Sequence, residues 1–199
     1  MRFIGITGGV GAGKSLILDH LKDNYNCKVV LADDLAKNML VPGTDLFEKL
    51  HEAFCDLPVW LEDGSIDRPA MARVIFSDPI LLDRMNAIVH PAVKTAVMED
   101  VEMERKRGEI QYFFLEAAVL IEDNYGELCD EVWYIYTSEE NRRARLKSAR
   151  GYSDERITEM FKSQLDDAGY RAGSDFVIDN NGTPEEAARQ IDERLNGTF

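Results

Sequence analysis

Gly8-Gly9-Val10-Gly11-Ala12-Gly13-Lys14-Ser15 follows the apolar run Phe3-Ile4-Gly5-Ile6 and precedes Ile17, Leu18 and Leu21 at helical spacing. The stretch matches the pattern G-x-x-x-x-G-K-[ST] and reads as a phosphate-binding loop between a strand and a helix. Its glycines let the backbone curl so that successive N–H groups face one anionic centre. The helix that follows adds the partial positive charge of its N-terminus. Gly8, Gly9, Val10, Gly11, Ala12, Gly13, Lys14, Ser15 and Leu16 are therefore the candidate nucleotide-binding residues. In such a loop the lysine reaches the β- and γ-phosphates and the hydroxyl ligates Mg²⁺, roles that fall to Lys14 and Ser15. The alternative is a glycine-rich turn with no ligand, and the strand before it and helix after it argue against that.

Outward from the loop, short apolar runs alternate with stretches of helical period. Lys28-Val29-Val30-Leu31, Phe113-Phe114-Leu115, Val132-Trp133-Tyr134-Ile135-Tyr136 and Phe176-Val177-Ile178 join Phe3–Ile6 as strand candidates. They are nearly continuous in apolar character, as strands buried on both faces of a parallel sheet are. Thr183-Pro184-Glu185-Glu186 opens the last helix with a capping residue, a first-turn Pro and a Glu three after the cap. Ala187, Ile191 and Leu195 form its apolar stripe, and Gly197 stands beyond its end. The pattern predicts an α/β fold with a doubly wound, parallel, five-stranded sheet.

About eighty residues between the second and third strands contain no convincing strand. Pro42-Gly43, Asp63-Gly64, Asp67-Arg68-Pro69, Ser77-Asp78-Pro79 and His90-Pro91 each read there as a helix stop or start. We expect a single domain over residues 1–199, with a helical lobe inserted at about 57–108. A polar, Arg-rich excursion over about 139–173 is expected to be a helical lid.

Composition narrows the partners. The chain has 199 residues, 45% apolar and 30% charged, with 23 Lys and Arg against 37 Asp and Glu, a net charge of −14. Such an acidic protein lacks the basic footprint of a sequence-independent nucleic-acid binder or of a module that docks on anionic membranes. Cys27, Cys55 and Cys129 are far apart and odd in number, which indicates neither a disulfide framework nor a zinc cluster. Without a spanning run or a leader pattern, the expected place is the cytoplasm and the expected state a monomer or weak homo-oligomer.

A phosphate loop alone does not separate kinases from other nucleotide hydrolases. GTPases need a base-reading Asn-Lys-x-Asp, which is absent here, and motor ATPases need larger domains. Beyond the loop, Leu31-Ala32-Asp33-Asp34-Leu35-Ala36-Lys37 leads to Val41-Pro42-Gly43. Asp67-Arg68, Ile75-Phe76-Ser77-Asp78-Pro79, His90-Pro91, Leu115–Glu122 and Val177-Ile178-Asp179-Asn180-Asn181-Gly182 follow. In order and spacing, from about Phe3 to about Leu195, these segments resemble the dephospho-coenzyme A kinase family. The resemblance implies transfer of the γ-phosphoryl group of ATP to the ribose 3′-hydroxyl of dephospho-coenzyme A, the last step of coenzyme A synthesis, with Mg²⁺.

On that resemblance Asp33, past the end of strand two, is the candidate that accepts the hydroxyl proton; the alternative is an N-cap. Asp34, about 100° further round a helix, would point elsewhere. Lys37, Arg68, His90 and Glu116 join Asp33 on the acceptor side. Arg142, Arg143, Arg145, Lys147 and Arg150 crowd into nine positions of the expected lid. Arg150, ahead of Gly151-Tyr152-Ser153, is the first choice to offset charge on the transferring phosphoryl group, with Arg171 as a second ATP contact. Leu31, Lys37 and Glu116 stand where the family has Asp, Arg and Asp. Those departures keep two alternatives open: a related kinase with another small-metabolite acceptor, and a low-turnover regulatory protein that binds a nucleotide or coenzyme A.

Overall fold

A computed structural model describes residues 1–197; the last two residues of the expected 1–199 domain lie outside the described residues. In chain order the first elements are β1 (Arg2–Thr7), α1 (Lys14–Asn24), β2 (Cys27–Leu31), α2 (Ala32–Met39), α3 (Asp45–Phe54), α4 (Arg68–Ser77) and α5 (Pro79–Arg107). Then follow β3 (Tyr112–Glu116), β4 (Glu131–Tyr136), α6 (Glu139–Arg150), α7 (Asp154–Lys162), α8 (Asp167–Ala172), β5 (Phe176–Asp179) and α9 (Pro184–Asn196). Compactness divides the chain after Val30 and again after Met103.

The first unit carries the sheet, in the order β2-β3-β1-β4-β5, and is a doubly wound α/β fold. β1 pairs in parallel with both β3 and β4, and β4 with β5. Phe3, Ile4, Ile6, Phe113, Phe114, Leu115, Trp133 and Ile135 are fully buried, which explains why these strands read as unbroken apolar runs. α9 has the expected capping box: Thr183 accepts from the Glu186 amide at 3.3 Å and the Glu186 carboxylate accepts from the Thr183 amide at 2.8 Å. Its stripe of Ala187, Ile191 and Leu195 is buried. The parallel registers set Ile6 beside Glu116 and Thr7 beside Tyr134, so the ends of three strands meet where the phosphate loop begins.

The second unit, Leu31–Met103, is helical apart from an isolated bridge between Trp60 and Ile66. α2 and α3 fold with the segment expected as an insertion, because Leu46, Leu50 and Phe54 pack in one cluster with Met71 and Ile75. Thr44 caps α3 through the Phe47 amide at 3.2 Å, and Asp67 caps α4 through the Ala70 amide at 3.0 Å. One expected boundary is corrected. His90-Pro91 neither stops nor starts a helix; both lie inside the 29-residue α5. Pro91 has no N–H for the Ala87 carbonyl, a cost of about 3 kcal/mol in a helix interior. The apolar spacing of Met85, Ile88, Val89 and Ala92 nevertheless runs on into buried Val93, Val97 and Val101, and this continuous stripe holds the helix together.

Candidate active site

The phosphate loop joins β1 to α1 and presents Gly13 as the helix N-cap, at φ 86°. That left-handed backbone favours glycine, and a Cβ on Gly13 would also collide with the Asn180 side-chain amide. A Cβ on Gly9 would run into the Arg142 guanidinium. Lys14 Nζ donates to the Gly8 carbonyl at 2.6 Å and lies 3.4 Å from a Glu116 carboxylate oxygen. Ser15 and Leu16 are exposed on the first turn of α1, Leu16 with its amide bonded to the Gly13 carbonyl at 3.1 Å. The structure thus brings Gly8 to Leu16 together as a cradle and adds Glu116, which the sequence had suggested for the acceptor side.

Several contacts around the loop were not foreseen, although Arg142 and Arg145 belong to the basic cluster of the expected lid. Arg142 Nε donates to the Val10 carbonyl at 2.8 Å, and Gln164 Oε1 accepts from the Val10 amide at 3.0 Å. Three donors converge on the Ala12 carbonyl: Asn180 Nδ2 at 2.7 Å, Thr137 Oγ1 at 2.9 Å and Arg145 Nη1 at 3.3 Å. Burial lowers the pKa of Arg142, against which the nearby Tyr134 and Tyr170 work. Two signals could have picked these residues out. Arg142 and Arg145 share the inward face of α6 with buried Leu146, and Thr137 and Asn180, themselves buried, each stand directly after the last residue of a strand.

The remaining basic residues of α6 look outward. Arg143 bonds Glu139 at 2.9 Å and Asp154 at 3.1 Å, and Lys147 bonds Asp154 at 2.7 Å. Arg150 is exposed at the last position of α6. Its hydrogen bond holds the Tyr152 phenol below its usual pKa, and the Arg156 guanidinium lies 3.9 Å over the same ring. Arg171 is exposed on α8, bonded to Asp167 at 2.8 Å, which raises its pKa, and it lies 4.7 Å over the Tyr136 ring.

The second unit contributes a cavity of about 400 Å³, mostly apolar in its lining. Asp33, Ala36 and Lys37 line it from one face of α2, at i, i+3 and i+4, and Leu40 joins them from the C-cap. Arg68, Met71 and Ile75 contribute from α4, and Leu82 and Met85 from α5. Arg68 also donates to the Lys37 carbonyl at 3.0 Å. Asp33 lies in the first turn of α2, whose N-cap position is Leu31, so the capping alternative for Asp33 does not hold. Asp34 turns away and bonds Lys37 at 2.7 Å, which raises the lysine pKa. His90 does not line this cavity. A larger groove of about 700 Å³ between α3 and α5 holds none of the candidate residues.

The sequence profile described as dephospho-CoA kinase matches residues 2–186. The chain belongs to the dephospho-CoA kinase family. The dephospho-CoA kinase of Geobacter sulfurreducens is 34% identical over 194 residues, covering 97% of this chain and 96% of that one. Among solved structures, TT1252 from Thermus thermophilus superposes with a TM-score of 0.80 at 29% identity, over 100% of this chain and 98% of its own. The dephospho-CoA kinase from Campylobacter jejuni shares the fold, with a TM-score of 0.70 at 22% identity over 99% and 98% of the two chains. Membership of the dephospho-CoA kinase family makes the protein a phosphotransferase with the P-loop NTPase fold. No helix among the described residues is long and apolar enough to cross a membrane.

Proposed function

We propose that the protein transfers the γ-phosphoryl group of ATP to the ribose 3′-hydroxyl of dephospho-coenzyme A, completing coenzyme A. The observation that carries this reading is the formed phosphate loop, with Lys14 at its centre, in a chain that matches the dephospho-CoA kinase profile from residue 2 to residue 186. The loop amides and Lys14 bind the ATP phosphates and stabilise the charge that develops during transfer. Asp33, lining the cavity of the helical unit, orients the acceptor hydroxyl and takes its proton, with Lys37 and Arg68 beside it on the same lining. Exposed Arg150, with Arg171, supplies positive charge from a lid formed by about residues 139–173.

The loop suits a metal–nucleotide complex. Gly9 and Gly13 have no room for a Cβ against Arg142 and Asn180, so the loop backbone is closely packed there, and Ser15 offers an exposed hydroxyl oxygen, the hard donor that Mg²⁺ takes alongside phosphate oxygens. Mg²⁺ bound with ATP would neutralise phosphate charge at Ser15. The deciding assay incubates the purified protein with Mg·ATP and dephospho-coenzyme A and looks for coenzyme A by mass. A gain of one phosphoryl group at the ribose is expected. ATP consumption with a different hydroxyl acceptor and none with dephospho-coenzyme A would overturn the reading.

A further inference from the structure

Two carbonyls of the phosphate loop, those of Val10 and Ala12, are each held by an arginine of α6. The described peptide bonds are all trans. In a trans peptide the C=O of one residue and the N–H of the next point in opposite directions. Fixing the Val10 carbonyl on Arg142 therefore aims the Gly11 N–H the other way, and fixing the Ala12 carbonyl does the same for the Gly13 N–H. The donors that a phosphate needs are oriented from behind.

At Val10 this arrangement closes into a ring. Arg142 Nε donates to the Val10 carbonyl at 2.8 Å, Arg142 Nη2 donates to Gln164 Oε1 at 3.0 Å, and Gln164 Oε1 accepts from the Val10 amide at 3.0 Å. Both polar atoms of one loop residue are gripped by two side chains that also grip each other. The Arg142 guanidinium lies 4.2 Å over the ring of Phe161, which covers one face and fixes its plane. The guanidinium is half-buried, and the Nε that meets Val10 is committed to a carbonyl.

We propose that Arg142 and Gln164 clamp the backbone of Val10 on both sides and so preset the phosphate loop for ATP, as positioning residues and not as phosphate ligands. The proposal rests on Gly8–Ser15 being the ATP site. Pre-organised donors spare the nucleotide the cost of ordering the loop, so the clamp acts on ATP affinity more than on the transfer step.

The test measures ATP binding by calorimetry on the full-length protein, together with kcat at saturating ATP and the melting temperature. Gln164→Met keeps length and neutrality but removes the shared acceptor. It is expected to weaken ATP binding about tenfold, with kcat within about threefold and little change in melting temperature. Phe161→Leu removes the platform under Arg142 without touching the loop and is expected to give a smaller loss of the same kind. Because both side chains grip one residue and bond each other, Arg142→Met/Gln164→Met should bind ATP no more than about twofold more weakly than Arg142→Met alone. Wild-type ATP affinity in both Gln164→Met and Phe161→Leu would overturn the clamp. Multiplying losses in the double variant would also overturn it, since they would mean that Arg142 meets the phosphates directly. ATP binding needs no acceptor, so an unmodified protein that binds ATP yet leaves dephospho-coenzyme A untouched would sink the proposed function while the clamp stood.

Discussion

The Lys14 ammonium lies 3.4 Å from a Glu116 carboxylate oxygen, joining the first residue of α1 to the last residue of β3. Strand register sets up this contact: Glu116 stands opposite Ile6, and the next amide, of Ala117, donates to the Ile6 carbonyl at 3.2 Å. Both side chains are about five-sixths buried (17% and 16% exposed), so the ammonium is steered by a fixed neighbour instead of sweeping through solvent.

Lys14→Ala should abolish phosphoryl transfer while leaving the fold intact. The buried stripe of α1 is Ile17, Leu18 and Leu21, and Lys14 is not part of it. Losing one positioned charge at the transferring group should reduce kcat by roughly 10²–10⁴-fold, with the melting temperature little changed. Near-normal turnover in a well-folded Lys14→Ala protein would remove the phosphate-loop argument.

Asp33→Asn should lower kcat by roughly 10²–10⁴-fold with little effect on the KM for ATP, because the amide keeps size but cannot take a proton. Asp34→Asn should leave kcat within about threefold, since Asp34 bonds Lys37 and does not line the cavity. Steady-state kinetics on the two variants decides the matter, and the reverse ranking would move the base to Asp34.

Much of this was legible in one dimension because the deciding features are local or strictly periodic. Strands covered on both faces announce themselves as apolar runs, a capping box sits within four residues, and a phosphate loop needs only its own glycines. The cavity face of α2 also follows from spacing, since Asp33, Ala36 and Lys37 share one side of any helix. Pro91 misled because its local penalty was outweighed by an apolar stripe on either side of it. The basic run from Arg142 to Arg150 is opaque for another reason. Its members look alike in sequence, and what separates Arg142 and Arg145 from the rest is a pair of loop carbonyls 132 and 133 residues away. Such partners exist only once the strands are in register.

Glu131 gives a pH-dependent prediction. It accepts from Trp133 Nε1 at 2.8 Å and Arg194 Nε at 3.2 Å, and it pairs with Arg2. Burial alone would raise its pKa, but these partners outweigh burial and hold it below the usual glutamate value of 4.5. A depressed carboxylate contributes stability in full above its unfolded pKa and loses it as pH falls through the folded one. Glu131→Gln should therefore destabilise the protein by about 2 kcal/mol near pH 7. The gap in melting temperature from wild type should shrink steadily below pH 4.5. A gap that stayed constant down to acid unfolding would show that packing, not charge, is at stake.

Arg150 and Arg143 should separate by what they affect. Arg150→Ala is expected to lower kcat by about 10–100-fold without moving the melting temperature. Arg143, tied to Glu139 and Asp154 on the surface, should cost under about 1 kcal/mol of stability as Arg143→Ala and leave kcat nearly unchanged. Thermal melts beside initial rates give both readouts. Equal kcat losses in the two variants would mean that the whole α6 surface acts as one charged face and that Arg150 has no special place.

The central position of β1 has a consequence for synthesis on the ribosome. The first strand made pairs with β3 and β4, so its partners begin at Tyr112 and Glu131. At roughly 5–20 residues per second, about 5–20 s pass between translation of Thr7 and of Tyr112. Through that interval Phe3, Ile4 and Ile6, all destined for full burial, have no strand to lie against. Residues 31–103 are complete before β3 is made, and their cluster of Leu46, Leu50, Phe54, Met71 and Ile75 draws only on that stretch. The nascent chain therefore acquires a collapsed helical segment first, while its future sheet centre waits as an unpaired strand. A polypeptide stalled before residue 112 should need a chaperone's cover for that strand far more than one released after residue 136.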